Sequence, residues 1–192
     1  GREIYVKDVN ISAQTISLSA PLYGAAGNQS YTFTRFRYIL DFSNFTSMSK
    51  MVLDGVDMLC NNHASGVMIP PDGLTFQFNE VAMTNPQARC ITSIGTGCQG
   101  MLIDNCRLSG GEGNIPVQDR TRIAMNATSN DVKLRNNRIS LFKRFAVLGG
   151  SGNIIVGNHW FMGDTQENGV RVAGLILTDS NSKSTVTGNY ID

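Results

Sequence analysis

The chain has 192 residues, with 16 Lys and Arg against 15 Asp and Glu, a formal net charge of +1, and charged residues at 16% of the total, against about 25% in an ordinary soluble domain. This balance gives no electrostatic case for nucleic acid or an anionic membrane, and no apolar run reaches the roughly 18 residues needed to span a bilayer. One domain is expected at this length, no signal peptide is visible, and Gly, at 20 residues, points to a turn-rich chain.

The first predicted elements are a strand, a turn and a strand in IYVKDVNISAQTISLSAPLYG (4–24), followed by a further strand in YTFTRFRYILDF (31–42). Alternating apolar residues around a polar turn predict a β-hairpin. Phe33, Phe36, Tyr38, Phe42 and Phe45 crowd the segment before residue 49 and are expected to cap the open end of a repeat region that starts there. Residues 1–48 are therefore assigned to a hairpin and cap.

From residue 49 a phrase recurs in the form apolar-x-x-Asn-x-apolar. The copies are LDGVDM (53–58), FNEVAM (78–83), IDNCRL (103–108), LRNNRI (134–139), IVGNHW (155–160) and VTGNYI (186–191). Their fourth positions are Val56, Val81, Cys106, Asn137, Asn158 and Asn189, separated by 25, 25, 31, 21 and 31 residues. A period in the twenties with variable insertions marks a solenoid. Upstream of the copies lies a second set of apolar runs, GVMI (66–69), CITSI (90–94), RIAM (122–125), FAVL (145–148) and GLIL (174–177). The connections are rich in Gly, Asn, Asp and Ser and carry no helical apolar period. The expected fold is all-β, a parallel β-helix of coils with two or three strands each, over residues 49–192. The Asn of the phrase is placed at a sharp bend, where it tolerates left-handed backbone angles and its amide bonds locally. Stacked amides are also expected to bond to one another along the axis, and Gly157 and Gly188 before them are assigned to the same bend.

GMLIDNCRLSGG followed by a strand at RIAM resembles the coils of right-handed parallel β-helix proteins of the pectate lyase and polygalacturonase type. The hairpin region is similar to the lead-in segments of phage tailspike-like proteins related to glycosyl hydrolase family 28. The resemblance implies a single-stranded right-handed β-helix, a bacterial or phage source, an extracellular or virion-associated location, a homotrimer in the full-length protein, and polysaccharide as the partner. The chain opens without Met and closes just after an Asn bend, so it is expected to be a fragment of a longer protein.

Cys60, Cys90, Cys98 and Cys106 show no metal spacing, and the two His, His63 and His159, fall in different coils. No metal or cofactor is expected. Cys90 on a strand and Cys106 in the bend column are expected to be small buried hydrophobes, while disulfides between Cys90 and Cys98 or Cys98 and Cys106 stay open from spacing alone.

In enzymes of the type resembled, the active groove lies over the first strand of each coil. Two long segments lead into such strands here. SGGEGNIPVQDRTR (109–122) carries Glu112, Asp119, Arg120 and Arg122, and MGDTQENGVRVAG (162–174) carries Asp164, Glu167 and Arg171. Lys143, Arg144 and Arg89 lie at neighbouring strand starts. Paired carboxylates hydrolyse glycosidic bonds as acid and base, and a lyase abstracts a proton beside a neutralised uronate. Asp119 with Asp164 or Glu167 is the expected catalytic set. Arg89, Glu112, Arg120, Arg122, Arg144 and Arg171 are expected to hold substrate, with Trp160 as a stacking platform or else as core or subunit packing. The paired Asp motif, His and Arg-x-Lys of polygalacturonases are missing, and the slots where calcium-dependent pectate lyases gather Asp are assigned to Arg89, Arg122 and Phe145. Neither named activity carries over. The reading is a polysaccharide-binding β-helix, with or without cleavage as a lyase or hydrolase; the alternatives are a non-catalytic spike of a phage or gene transfer agent, a surface adhesin, or a structural shaft.

Overall fold

The computed structural model describes residues 6–21, 37–45, 50–71, 75–95, 99–161, 172–178 and 183–191. They fall in two units, divided between Arg35 and Phe36. In the first, Val6–Asn10 and Thr15–Leu18 pair antiparallel. The connecting turn closes with the Gln14 amide on the Ile11 carbonyl at 3.2 Å and the Ala13 amide on Asn10 Oδ1 at 2.9 Å. The sequence predicted this hairpin from its alternation.

The second unit is a solenoid of three parallel six-stranded sheets. The first sheet contains Tyr38–Asp41, Ser65–Ile69, Arg89–Ser93, Ile123–Ala127, Arg144–Leu148 and Leu175–Leu177. The second contains Met51–Asp54, Phe76–Asn79, Leu102–Asp104, Lys133–Arg135, Ile154–Val156 and Thr185–Thr187. The third contains Asp57–Leu59, Ala82–Thr84, Arg107–Ser109, Arg138–Ser140, His159–Phe161 and Tyr190–Ile191. The chain visits the sheets in that order and returns one rung further on each time, so each coil supplies one strand to each sheet. Among the described residues there is no helix. The coil stack begins before residue 49, because Tyr38–Asp41 pairs with Ser65–Ile69 and its Leu40 packs against the core.

Side chains of a strand alternate between faces, so a three-residue strand sends its middle residue inward. In the second sheet the middle row is Leu53, Phe78, Ile103, Leu134, Ile155 and Val186. In the third it is Met58, Met83, Leu108, Ile139, Trp160 and Ile191. These are the two apolar positions of the repeated phrase; fully burying a large side chain is worth about 1.5–3 kcal/mol, and only in the C-terminal coil are the two positions, Val186 and Ile191, largely exposed. Aromatic contacts extend the rows towards the N-terminal coil. Phe76 lies 4.9 Å from Phe78 and 5.4 Å from Phe42, which in turn lies 5.7 Å from Phe45. Phe33 and Phe36 of the expected cap lie outside the described residues.

The bend between the second and third sheets divides its work between two residues. Left-handed angles fall on the residue before the column, with φ of 62° at Gly55, 51° at Glu80, 52° at Asn105, 56° at Asn136, 66° at Gly157 and 62° at Gly188. The expectation that the column Asn itself takes these angles is corrected on this point. The column residue supplies hydrogen bonds instead. Asn158 Oδ1 accepts from the Asn137 amide at 3.1 Å and from Asn137 Nδ2 at 2.8 Å, and Asn189 Oδ1 accepts from Asn158 in the same two ways at 3.0 and 2.9 Å. Each Nδ2 also donates to a carbonyl one coil back, Asn137 to Ile103, Asn158 to Leu134 and Asn189 to Ile155. The ladder is thus anchored to the inward row of the second sheet.

Candidate functional site

The start of the first sheet was the expected binding edge, and its register differs by one residue from the sequence assignment. Arg89 pairs with Ile123, and Ile123 with Arg144. Ile123 and Arg144, rather than Arg122 and Phe145, therefore share the row of Arg89. Phe145 faces the core, buried 5.7 Å from Trp160. Arg89 is half-buried. Arg144 is also half-buried, and its Nη1 donates to the Ala173 carbonyl at 2.8 Å.

The loop before Ile123 is built around buried charge. Glu112 is only 5% exposed. Its carboxylate accepts from the Thr121 amide and hydroxyl at 3.2 Å and from the Arg122 amide at 3.1 Å, and lies 3.7 Å from Arg122 Nε. Arg120, at 1% exposure, donates Nε to the Ile115 carbonyl at 2.8 Å. Burial pulls its pKa down and the Glu112 charge opposes that. Arg122 reaches across earlier coils, donating Nη1 to Asn85 Oδ1 at 2.5 Å and to the Gly110 carbonyl, and Nη2 to Asn62 Oδ1 at 2.9 Å. Such committed donors and acceptors hold a loop rather than a ligand. Glu112 and Arg120, expected on a substrate face, are thus buried within the loop, and Arg122 spends its donors on Asn62, Asn85 and Gly110.

Asp119 is the exposed carboxylate of this loop, with its amide bonded to the Pro116 carbonyl at 2.9 Å. Lys143 Nζ donates to the Gln118 carbonyl at 3.1 Å, tying the loop to the next strand start. Asp164, Glu167 and Arg171 lie outside the described residues. Trp160 is 2% exposed, and a Cβ at Gly174 would collide with its ring. It fills the core, the alternative that the sequence held beside a stacking platform: as the middle residue of a three-residue strand it points inward.

The buried thiols behave as apolar side chains. Cys60, Cys90 and Cys106 are free and buried, and Cys98 lies outside the described residues. Burial raises the Cys60 and Cys90 pKa values, and raises Cys106 to about 11, so none is a ready nucleophile. Cys106 Sγ lies 3.5 Å from the Phe78 carbonyl, while the Cys106 amide donates to Asn137 Oδ1 at 2.8 Å. It takes the place of an amide in the bend column. Among the described residues no group of three or more His, Cys, Asp or Glu could hold a metal ion.

Sequence reasoning passed over the outer face of the third sheet. The fifth position of the repeated phrase forms one row there: Asp57, Ala82, Arg107, Arg138, His159 and Tyr190. Arg107 and Arg138 are exposed, and Tyr190 is 62% exposed. The His159 ring lies 4.9 Å from Tyr190, edge-on, and 5.9 Å from Phe161. The signal was present in the phrase, because the position after each bend residue must share a face with its counterpart in every other coil.

No protein-family model, curated protein or solved structure matches this chain.

Proposed function

We propose that this chain is a right-handed parallel β-helix whose outer surface binds an extended polysaccharide, as part of a virion spike or other extracellular appendage. Handedness is supported by the crossovers, since connections between parallel strands of one sheet are right-handed in about 98% of cases. The observation that carries the binding reading is the periodicity of the outer surface. Six parallel strands per sheet present side chains of equivalent position at a spacing of about 4.8 Å. Such a track suits a polymer whose own groups repeat.

At the start of the first sheet, Arg89 and Arg144 flank Ile123 on this track, with exposed Asp119 on the loop beside it. Binding without cleavage is the simpler form, because Asp119 is the one member of the expected catalytic set among the described residues. Cleavage requires Asp119 to act with Asp164 or Glu167.

The test is incubation with acidic and neutral polysaccharides, reading retention by affinity electrophoresis together with new reducing ends and the ultraviolet absorbance of unsaturated uronates. Retention without product is the expected result. Product that disappears in Asp119→Asn would establish cleavage instead, and no retention on any glycan would overturn the proposal.

A further inference from the structure

We infer that the outer face of the third sheet is a second contact surface, specific for an acidic polysaccharide and built from Arg107, Arg138, His159 and Tyr190. The inference rests on the glycan-binding reading but concerns a different face of the solenoid.

The charge pattern carries it. Arg107 and Arg138 occupy the same position on adjacent hydrogen-bonded strands, about 4.8 Å apart along the stack. Like charges directly opposite one another destabilise a sheet. Among the described residues, neither guanidinium has a carboxylate partner. The second sheet handles the same problem differently: Arg135 donates Nη2 to Asp104 Oδ2 at 2.6 Å on the adjacent strand. The pair in the third sheet is not a by-product of a basic chain either, since the net charge is +1. Two stacked, solvent-facing guanidiniums form a bidentate site for planar carboxylate or sulfate groups that recur along a polymer.

Aromatic groups continue the same row. His159 follows Arg138, and Tyr190 follows His159, with Phe161 beside His159 on the same strand. Tyr190 keeps 62% of its surface exposed. An amphipathic ring with an open face accepts the apolar side of a sugar ring. Two cations in the middle of the row, with half-buried His159 and exposed Tyr190 on the coils beyond them and Asp57 two coils before them, fit a chain that is at once anionic and saccharide.

The probes are polygalacturonate, chondroitin sulfate, neutral dextran and inorganic polyphosphate, titrated against wild type, the Arg107→Gln/Arg138→Gln double variant, Tyr190→Ala and Arg89→Gln. All the changed side chains are solvent-facing or half-buried, and far-UV circular dichroism checks that each variant is folded. The double variant is expected to lose affinity for both acidic glycans by about tenfold or more, with dextran unchanged. Tyr190→Ala is expected to weaken the acidic glycans and leave polyphosphate unaffected. Retention of the acidic glycans that is intact in the double variant but weakened in Arg89→Gln would overturn the second surface and leave the first standing. Polyphosphate bound as tightly as the glycans, with no effect of Tyr190→Ala, would overturn the saccharide assignment. Wild type that binds no glycan at all would overturn both readings.

Discussion

At the residue scale, the bend column shows why Asn and Cys share one position. A buried backbone amide without a partner costs about 1–3 kcal/mol, and the side chains of Asn137 and Asn158 satisfy groups on both neighbouring coils. Asn158 alone serves the Asn137 amide, Asn137 Nδ2, the Leu134 carbonyl and Asn189 Oδ1. Cys106 reaches the carbonyl of Phe78, the same rung that Asn137 meets one coil later at Ile103. Asn158→Ala is therefore expected to remove about 2–4 kcal/mol of stability, which for a chain of this size lowers the melting temperature by about 5–15 °C. Cys106→Asn is expected to hold or raise it, because an amide there extends the existing ladder by one rung. Paired thermal melts decide the matter. A melting temperature for Asn158→Ala within a degree of wild type would show that the ladder contributes nothing.

At the element scale, the repeated phrase was legible because a three-residue strand needs only one inward side chain, and two such strands separated by a bend reproduce apolar-x-x-Asn-x-apolar. The first sheet was harder to read. Its strands follow insertions of unequal length, and an error of one residue, Arg122 for Ile123, moves a side chain from one face to the other. The burial of Glu112 and Arg120 was not legible at all, because it depends on which coil lies beside which loop, whereas that of Trp160 follows from its place as the last apolar position of the phrase. Arg122 illustrates this: its partners Asn62 and Asn85 are 60 and 37 residues away in sequence. The loop over 110–122 is consequently held by buried polar contacts, with few of the apolar repeats that announce structure in a sequence. Glu112→Ala would leave the Thr121 and Arg122 amides without their acceptor and remove the partner of Arg122 Nε. Breaking a buried pair of this kind costs about 3–5 kcal/mol. Limited proteolysis should then cut within 110–122 faster than in wild type, while Glu112→Gln, which keeps one acceptor oxygen, should be intermediate. Equal cleavage rates for all three proteins would mean that the carboxylate does not anchor the loop.

At the scale of the whole molecule, the inward rows pass through every coil, so no coil has a core of its own. Met58, Met83, Leu108, Ile139 and Trp160 form one continuous column, and the Asn ladder parallels it on the polar side of the bend. In a solenoid, stability is set by the coupling between neighbouring coils, and here both an apolar and a hydrogen-bonded column supply it. Unfolding is therefore expected to be a single transition. Trp160 is the sole tryptophan, is buried beside Phe145, and reports on the fifth coil. Its fluorescence in a denaturant titration should change at the same midpoint as the far-UV circular dichroism of the entire stack. Asn158→Ala, which perturbs the same coil, should lower both midpoints together. Fluorescence that changes at lower denaturant than the dichroism, with a gap widened by Asn158→Ala, would show that the C-terminal coils unzip independently and that the shared columns do not couple them.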